Sequence, residues 1–365
     1  MRKTSRECAT QNIALTSSGV TLVMPVSGNR IINQVYLANE VIRLRCRLAR
    51  ILATSGGSIT AMMMLLCDVA SVVDFETYSR YRERLRKILK ELDRDWYCQP
   101  SSSFQMISTF KALSTGSLYL RGNGAEMIKS YEISVKGQPE VVMGTHNIDL
   151  SEHQLWCTHS KKDSTIQLQR ARYLNGDMDK IAEAATASCS VPTLVPSVKI
   201  GRYSYDDGGV EHASPLGDCI HLFNSALGCG LLPYKVVYIC PSRYSSSEDP
   251  KTEEIEDDDV KNKMKASFAG MITKIHIPDR NNGIRAVGAE SEGVIKEKGR
   301  GPDALMRALD IQETAERSFI ELTPSVPVYV NFTDMEKGEA LQAFDEDCRS
   351  DYYVRHWYLP SDCAR

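Results

Sequence analysis

Several large classes of protein are excluded by what this sequence lacks. No stretch approaches the roughly 18 apolar residues that a helix needs to cross a bilayer. Residues 1–8, MRKTSREC, lack the apolar core of a secretory signal, so the expected location is the cytoplasm. Basic residues are not in excess. With 44 Lys and Arg against 47 Asp and Glu, the formal net charge is -3, and the electrostatic footprint of a nucleic-acid binder is missing. The 11 cysteines are odd in number and form no C-x-x-C pair, which argues against a disulfide framework or zinc ribbon and for reduced, mostly buried thiols. No internal repeat is present. His153, Cys157 and His159 share a face of an alternating segment, yet no further ligand stands nearby, so neither a metal nor another cofactor is expected.

What is present is the composition of an ordinary globular chain, with 42% hydrophobic and 25% charged residues over 365 positions. Residues 1–18 are expected to be a polar tail and residues 19–365 one domain, with 245–263 a mobile acidic loop. The spacing predicts a strand over 19–24, a turn at 27–29, and a helix over 30–45 with Ile31, Val35, Ala38 and Ile42 at helical intervals. A second strand at 51–53 and a second helix over 59–70 repeat the pattern. Strand, glycine turn and helix twice in succession is α/β grammar. It predicts a three-layer α/β/α fold with a mainly parallel central sheet.

Further along, Asp74 caps a predicted helix over 78–92 whose basic residues fit either an anionic membrane surface or, with Glu83 and Glu91 as counter-charges, the favoured reading of a solvated face. Residues 121–124, RGNG, read as a hairpin turn. Strands are predicted at 141–145, 154–160, 234–240, 271–277 and 328–332, and a short helix at 181–187. Thr333 and Glu336 read as a capping box for a helix running to Phe344.

Two stretches carry chemistry. Residues 48–60, LARILATSGGSIT, take a buried strand straight into a helix with Ser55 at the bend, in a G-x-S-x-G pattern whose first position is Ala53. Gly56 and Gly57 permit the sharp corner. Such a nucleophile elbow lifts a serine oxygen clear of the sheet and aims the helix N–H groups at developing negative charge. The second stretch is Asp206-Asp207-Gly208-Gly209, at the end of an alternating aromatic segment. A carboxylate followed by two glycines is suited to pressing an acceptor against another loop's hydroxyl.

Together with residues 184–192, AATASCSVP, and Ala213-Ser214-Pro215, these motifs resemble the patatin-like phospholipase family, over about residues 19–215. The resemblance implies a patatin-like fold and a Ser-Asp dyad that works without histidine. Ser55 falls on the family's nucleophile and Asp207 on its aspartate, with Asp206 the less favoured register. The implied reaction is hydrolysis of lipid or phospholipid esters through an acyl-enzyme, needing no metal or cofactor and at least transient contact with a membrane surface. The family's oxyanion loop, G-G-G-x-[KR]-G, falls on Val26 to Ile31, where only Gly28 and Arg30 match. The implied donors are Ser27, Gly28, Asn29 and Gly56, with Arg30, Gly57, Gly208 and Gly209 supporting the loops. The lost glycines leave open a lipid-binding or scaffolding member with little or no turnover. A conventional triad is a third reading, with His212 or His221 delivered to Ser55.

Overall fold

The computed structural model describes residues 19–44, 46–100, 117, 119–131, 134–164, 171–192, 194–210, 215, 234–241 and 295–360. The proposed tail, the acidic loop, the strand at 271–277, His212 and His221 all lie outside these residues. The strands are β1 Val20–Met24, β2 Leu48–Thr54, β3 Cys98–Pro100, β4 Tyr119–Arg121, β5 Glu140–Asn147, β6 Glu152–Cys157, β7 Ala171–Tyr173, β8 Val198–Ile200, β9 Tyr203–Asp207, β10 Tyr234–Ile239, β11 Ile295–Arg300, β12 Ala315–Pro324 and β13 Tyr352–Pro360. The helices are α1 Ile31–Arg43, α2 Gly56–Leu66, α3 Phe75–Glu91, α4 Arg94–Tyr97, α5 Gly124–Ser130, α6 Met178–Ser188, α7 Gly301–Thr314 and α8 Glu339–Asp347.

The central sheet runs β11-β13-β12-β10-β1-β2-β5-β6-β7, with β9 also paired to β5 and β8 to β9. From β12 to β5 every neighbour is parallel. Antiparallel strands complete the sheet on either side of this block. Parallel strands buried on both faces read as unbroken apolar runs, which is how Ile51-Leu52-Ala53 in β2 behaves. Ile51 and Ala53 join Leu22, Met24, Val141, Met143, Val237 and Ile239 in one apolar core to which all eight described helices contribute. On the opposite face Val23, Leu52, Val142, Val236 and Tyr238 are buried as well. No helix among the described residues is long and apolar enough to cross a membrane.

Three sequence expectations are corrected. Residues 121–124 are not a hairpin turn: β4 pairs with β3, and the segment feeds α5, with Asn123 at its N-cap. The Gly122 N–H instead donates to the Tyr97 carbonyl at 3.1 Å, and a Cβ at Gly122 would lie 2.5 Å from the Asp95 carbonyl. Residues 328–332 form no strand. The Asn33 amide brackets the Val328 backbone, accepting its N–H at 2.9 Å and donating to its carbonyl at 3.0 Å. The Val330 N–H goes to the Asn29 carbonyl at 2.9 Å. Thr333 and Glu336 form no capping box, because α8 starts later, after Gly338 in a left-handed conformation. Thr333 bonds the Asn331 side chain instead. By contrast Asp74 does cap α3, accepting the Thr77 N–H.

Candidate active site

β2 ends at Thr54, and the chain turns at once. Ser55 has φ 56° and ψ -129°, an unfavourable conformation for a residue with a Cβ, and α2 begins at Gly56. The turn sits hard against the carboxyl end of β1. A Cβ at Gly57 would stand 2.2 Å from the Met24 carbonyl oxygen, and one at Gly56 would stand 2.1 Å from Ser27 Oγ. These two glycines are required by close approach rather than by their own dihedral angles. Ala53, in place of the usual glycine, is buried with its methyl in the core.

The partner arrives from β9, which runs antiparallel to β5 and sets Asp207 opposite Thr145. The Asp207 N–H is held by the Ser190 carbonyl at 3.0 Å. Gly208 lets the chain pass over β5, since a Cβ there would lie 2.4 Å from the Gly144 carbonyl oxygen. Gly209 returns its N–H to Asp207 Oδ1 at 2.7 Å. The other carboxylate oxygen, Oδ2, accepts the Ser55 hydroxyl at 2.6 Å. Ser55 and Asp207 are 5% and 4% exposed. Burial outweighs both hydrogen bonds and pushes the Asp207 carboxyl up from 3.8 to about 7. A carboxylate with that basicity is matched to removing a proton at neutral pH, whereas an ordinary one is not.

Asp206 points to the other face of β9, where its Oδ1 meets His146 Nδ1 at 2.9 Å. Burial raises its pKa, and His146 opposes the rise.

The loop on the far side of the elbow is a single 3-10 turn, Gly28–Arg30, leading directly into α1. Gly28 has a positive φ of 51°. The Arg30 N–H is bonded to the Ser27 carbonyl and the Ile31 N–H to the Gly28 carbonyl. The Gly28 and Asn29 N–H groups are thus the unladdered donors at the start of the turn, as the Gly56 and Gly57 N–H groups are at the start of α2. Ser27 is fully buried beside Gly56, and its hydroxyl has no partner among the described residues. The Arg30 guanidinium stacks 4.7 Å from the Tyr329 ring centroid and bonds the Tyr329 hydroxyl, tying residues 328–330 to the start of α1.

Of the proposed site residues, Ser55 and Asp207 meet directly, while Gly56, Gly57, Gly208 and Gly209 shape the two loops around them. Sequence reasoning missed Ser188 and Cys189. Ser188 Oγ accepts the Ser55 N–H at 3.0 Å, and Cys189 Sγ donates to the Ser55 carbonyl at 2.8 Å. Their signal was three small polar residues, Ser188-Cys189-Ser190, closing an otherwise alanine-rich helix. His153, Cys157 and His159 do not assemble a metal site. Cys157 donates to Glu140 at 2.9 Å and His159 pairs with Thr158. No group of three or more metal-ligating side chains occurs among the described residues.

No curated protein matches the chain. Among solved structures, VipD from Legionella pneumophila is similar at 12% identity, covering 90% of this chain and 67% of that one with a TM-score of 0.29. The sequence profile of the patatin-like phospholipase family matches residues 28–220, more than half of the chain, and spans the Gly28 turn, the Ser55 elbow and the Asp207 loop. On that match, the chain belongs to the patatin-like phospholipase family.

Proposed function

We propose that this chain is a serine acyl hydrolase acting on lipid esters, with Ser55 as nucleophile and Asp207 as its base. Family membership supports the class of reaction. The residue roles rest on one observation, the 2.6 Å hydrogen bond from the Ser55 hydroxyl to Asp207 Oδ2. As Ser55 Oγ bonds to the ester carbonyl carbon, its proton passes to Asp207 and the carbonyl electron pair moves onto oxygen. The Gly28, Asn29 and Gly56 N–H groups are the donors available to that oxyanion. Collapse breaks the bond to the alcohol, which leaves with the proton from Asp207. Water then attacks the acyl-serine with Asp207 again taking a proton, and the fatty acid and free Ser55 are released.

A lipid substrate requires at least transient contact with a lipid surface. Val210, 54% exposed beside Gly209, and Val326, 61% exposed ahead of the segment tied to α1, are apolar side chains suited to it. Fatty-acid release from phospholipid vesicles, abolished by Ser55→Ala, is the expected result. Equal release by that variant sinks the assignment. The second reading, a lipid binder without turnover, is favoured by the glycine loop, which keeps only Gly28 of its glycines. Saturable vesicle binding by the wild type with no fatty-acid release would decide for it.

A further inference from the structure

Three consecutive residues at the end of α6 touch both members of the dyad. Ser188 is fully buried, and its hydroxyl has three neighbours: the Gly144 carbonyl at 2.6 Å, the Ser55 N–H at 3.0 Å and Ser58 Oγ at 2.8 Å. A hydroxyl has one proton to give. The Gly144 carbonyl only accepts, so Ser188 donates there and takes hydrogen bonds from both Ser55 and Ser58. Cys189 Sγ donates to the Ser55 carbonyl at 2.8 Å. Burial and the neighbouring Asp207 hold that thiol well above its ordinary pKa, so it keeps the proton this bond needs. The Ser190 carbonyl holds the Asp207 N–H at 3.0 Å.

Both backbone polar groups of Ser55 are therefore gripped from one segment, whose next residue grips the base. A residue with a Cβ stays at φ 56° only where its surroundings over-determine it. Among the described residues the Ser55 side chain makes one bond, to Asp207, and the backbone grip sets the point from which its oxygen reaches that partner.

We infer that Ser188 is a positioning residue, and that Ser188-Cys189-Ser190 is a clamp setting the nucleophile in register with its base. The inference rests on the Ser55–Asp207 reading of the site and adds to it. Ser188 acts only through Ser55, so removing its hydroxyl alters the rate at which Ser55 reacts and touches Asp207 only by loosening the Ser55 bond that holds its carboxyl down.

The test compares Ser188→Ala with wild type for the rate of fluorophosphonate labelling of Ser55, its pH midpoint, and hydrogen exchange at the Ser55 amide. Misplacement of a reacting atom by about 1 Å costs on the order of 10²-fold, and a labelling loss of about that size is expected. The pH midpoint does not fall below the wild-type value, because the loosened Ser55 bond is one that lowers the Asp207 pKa, and the Ser55 amide exchanges faster. Ile181→Val, which thins the packing of the same helix, keeps labelling within about threefold, because it removes no bond to the dyad. Labelling of Ser188→Ala within about threefold of wild type overturns the inference. If Ser188→Ala does not fold, Cys189→Ala removes the adjacent grip and should cost about tenfold in labelling, and an unchanged rate there overturns it equally. If wild type itself is never labelled, the dyad reading fails. The clamp then stands or falls on whether the Ser55 amide loses protection in the variant.

Discussion

Asp206 and Asp207 are adjacent on β9, and the pleat sends them to opposite faces: Asp207 receives the Ser55 hydroxyl at 2.6 Å, and Asp206 meets His146 at 2.9 Å. Two equivalent carboxylates in the sequence thus have unlike surroundings. Asp207→Asn should lower ester turnover by about 10³-fold or more, since an amide cannot take the serine proton. Asp206→Asn should stay within about tenfold of wild type. Steady-state hydrolysis of one ester by both variants checks this, and the reverse ranking would exchange their roles.

Burial of Asp207 links activity and stability with opposite signs. Its carboxyl is raised from 3.8 to about 7 in the folded chain, so the base is ionised, and turnover rises, as pH climbs through about 7. The folded state holds a proton that the unfolded state has already released. The stabilisation is therefore fully present below 3.8 and is lost as pH rises through about 7, by at most on the order of 4 kcal/mol. Asp347, fully buried with its carboxyl lacking a hydrogen-bond partner among the described residues and raised to about 7, acts in the same direction. Asp207→Asn should flatten the fall in melting temperature between pH 5 and 8 (about three pH units) while leaving the Asp347 share. A variant whose melting temperature falls as steeply as wild type would contradict the cause given for the shift.

The elbow glycines differ in what a methyl group would strike. At Gly57 it strikes the Met24 carbonyl, 2.2 Å away, and at Gly208 the Gly144 carbonyl, 2.4 Å away, both backbone atoms that cannot move aside. Gly57→Ala and Gly208→Ala should each cost about 2 kcal/mol or more in chemical unfolding. At Gly56 the obstacle is the end of a side chain, Ser27 Oγ. The cost of Gly56→Ala should therefore be largely recovered by adding Ser27→Ala, whose remaining Cβ lies 3.5 Å away. A double variant no more stable than Gly56→Ala would place the obstruction elsewhere.

Asn33 stands in for a sheet ladder. Fully buried, it bonds the Val328 N–H and carbonyl and the Pro241 carbonyl at 3.3 Å. Asn33→Ala should cost about 2 to 3 kcal/mol by leaving backbone groups without partners. Wild-type stability in that variant, measured by denaturant unfolding, would show that the 328–330 segment finds other partners.

The residues that were legible in the sequence are those whose signal is local. β1, the start of α1, β2 running into α2, and the aspartate before Gly208-Gly209 are each marked by an apolar run or helical spacing broken by small residues. Distant partners hide the rest. Residues 328–332 have strand composition, but their backbone bonds go to Asn33 and Asn29, nearly three hundred residues upstream. β12 escaped notice because Ser318 and Glu321 interrupt its apolar character. Both are buried, Ser318 against His356 Nε2 at 2.6 Å and Glu321 against Arg355 at 3.4 Å, and neither partner is visible locally. Ser188 likewise looks like any helix-end serine until the fold sets it against the Ser55 N–H.

The most direct measurement is the pH dependence of fluorophosphonate labelling, with the modified residue located by peptide mass spectrometry. Label should appear on Ser55, rise with a midpoint near 7, and disappear in Asp207→Asn. Label on another residue, a rate independent of pH, or undiminished labelling in Asp207→Asn would contradict a serine activated by its buried carboxylate.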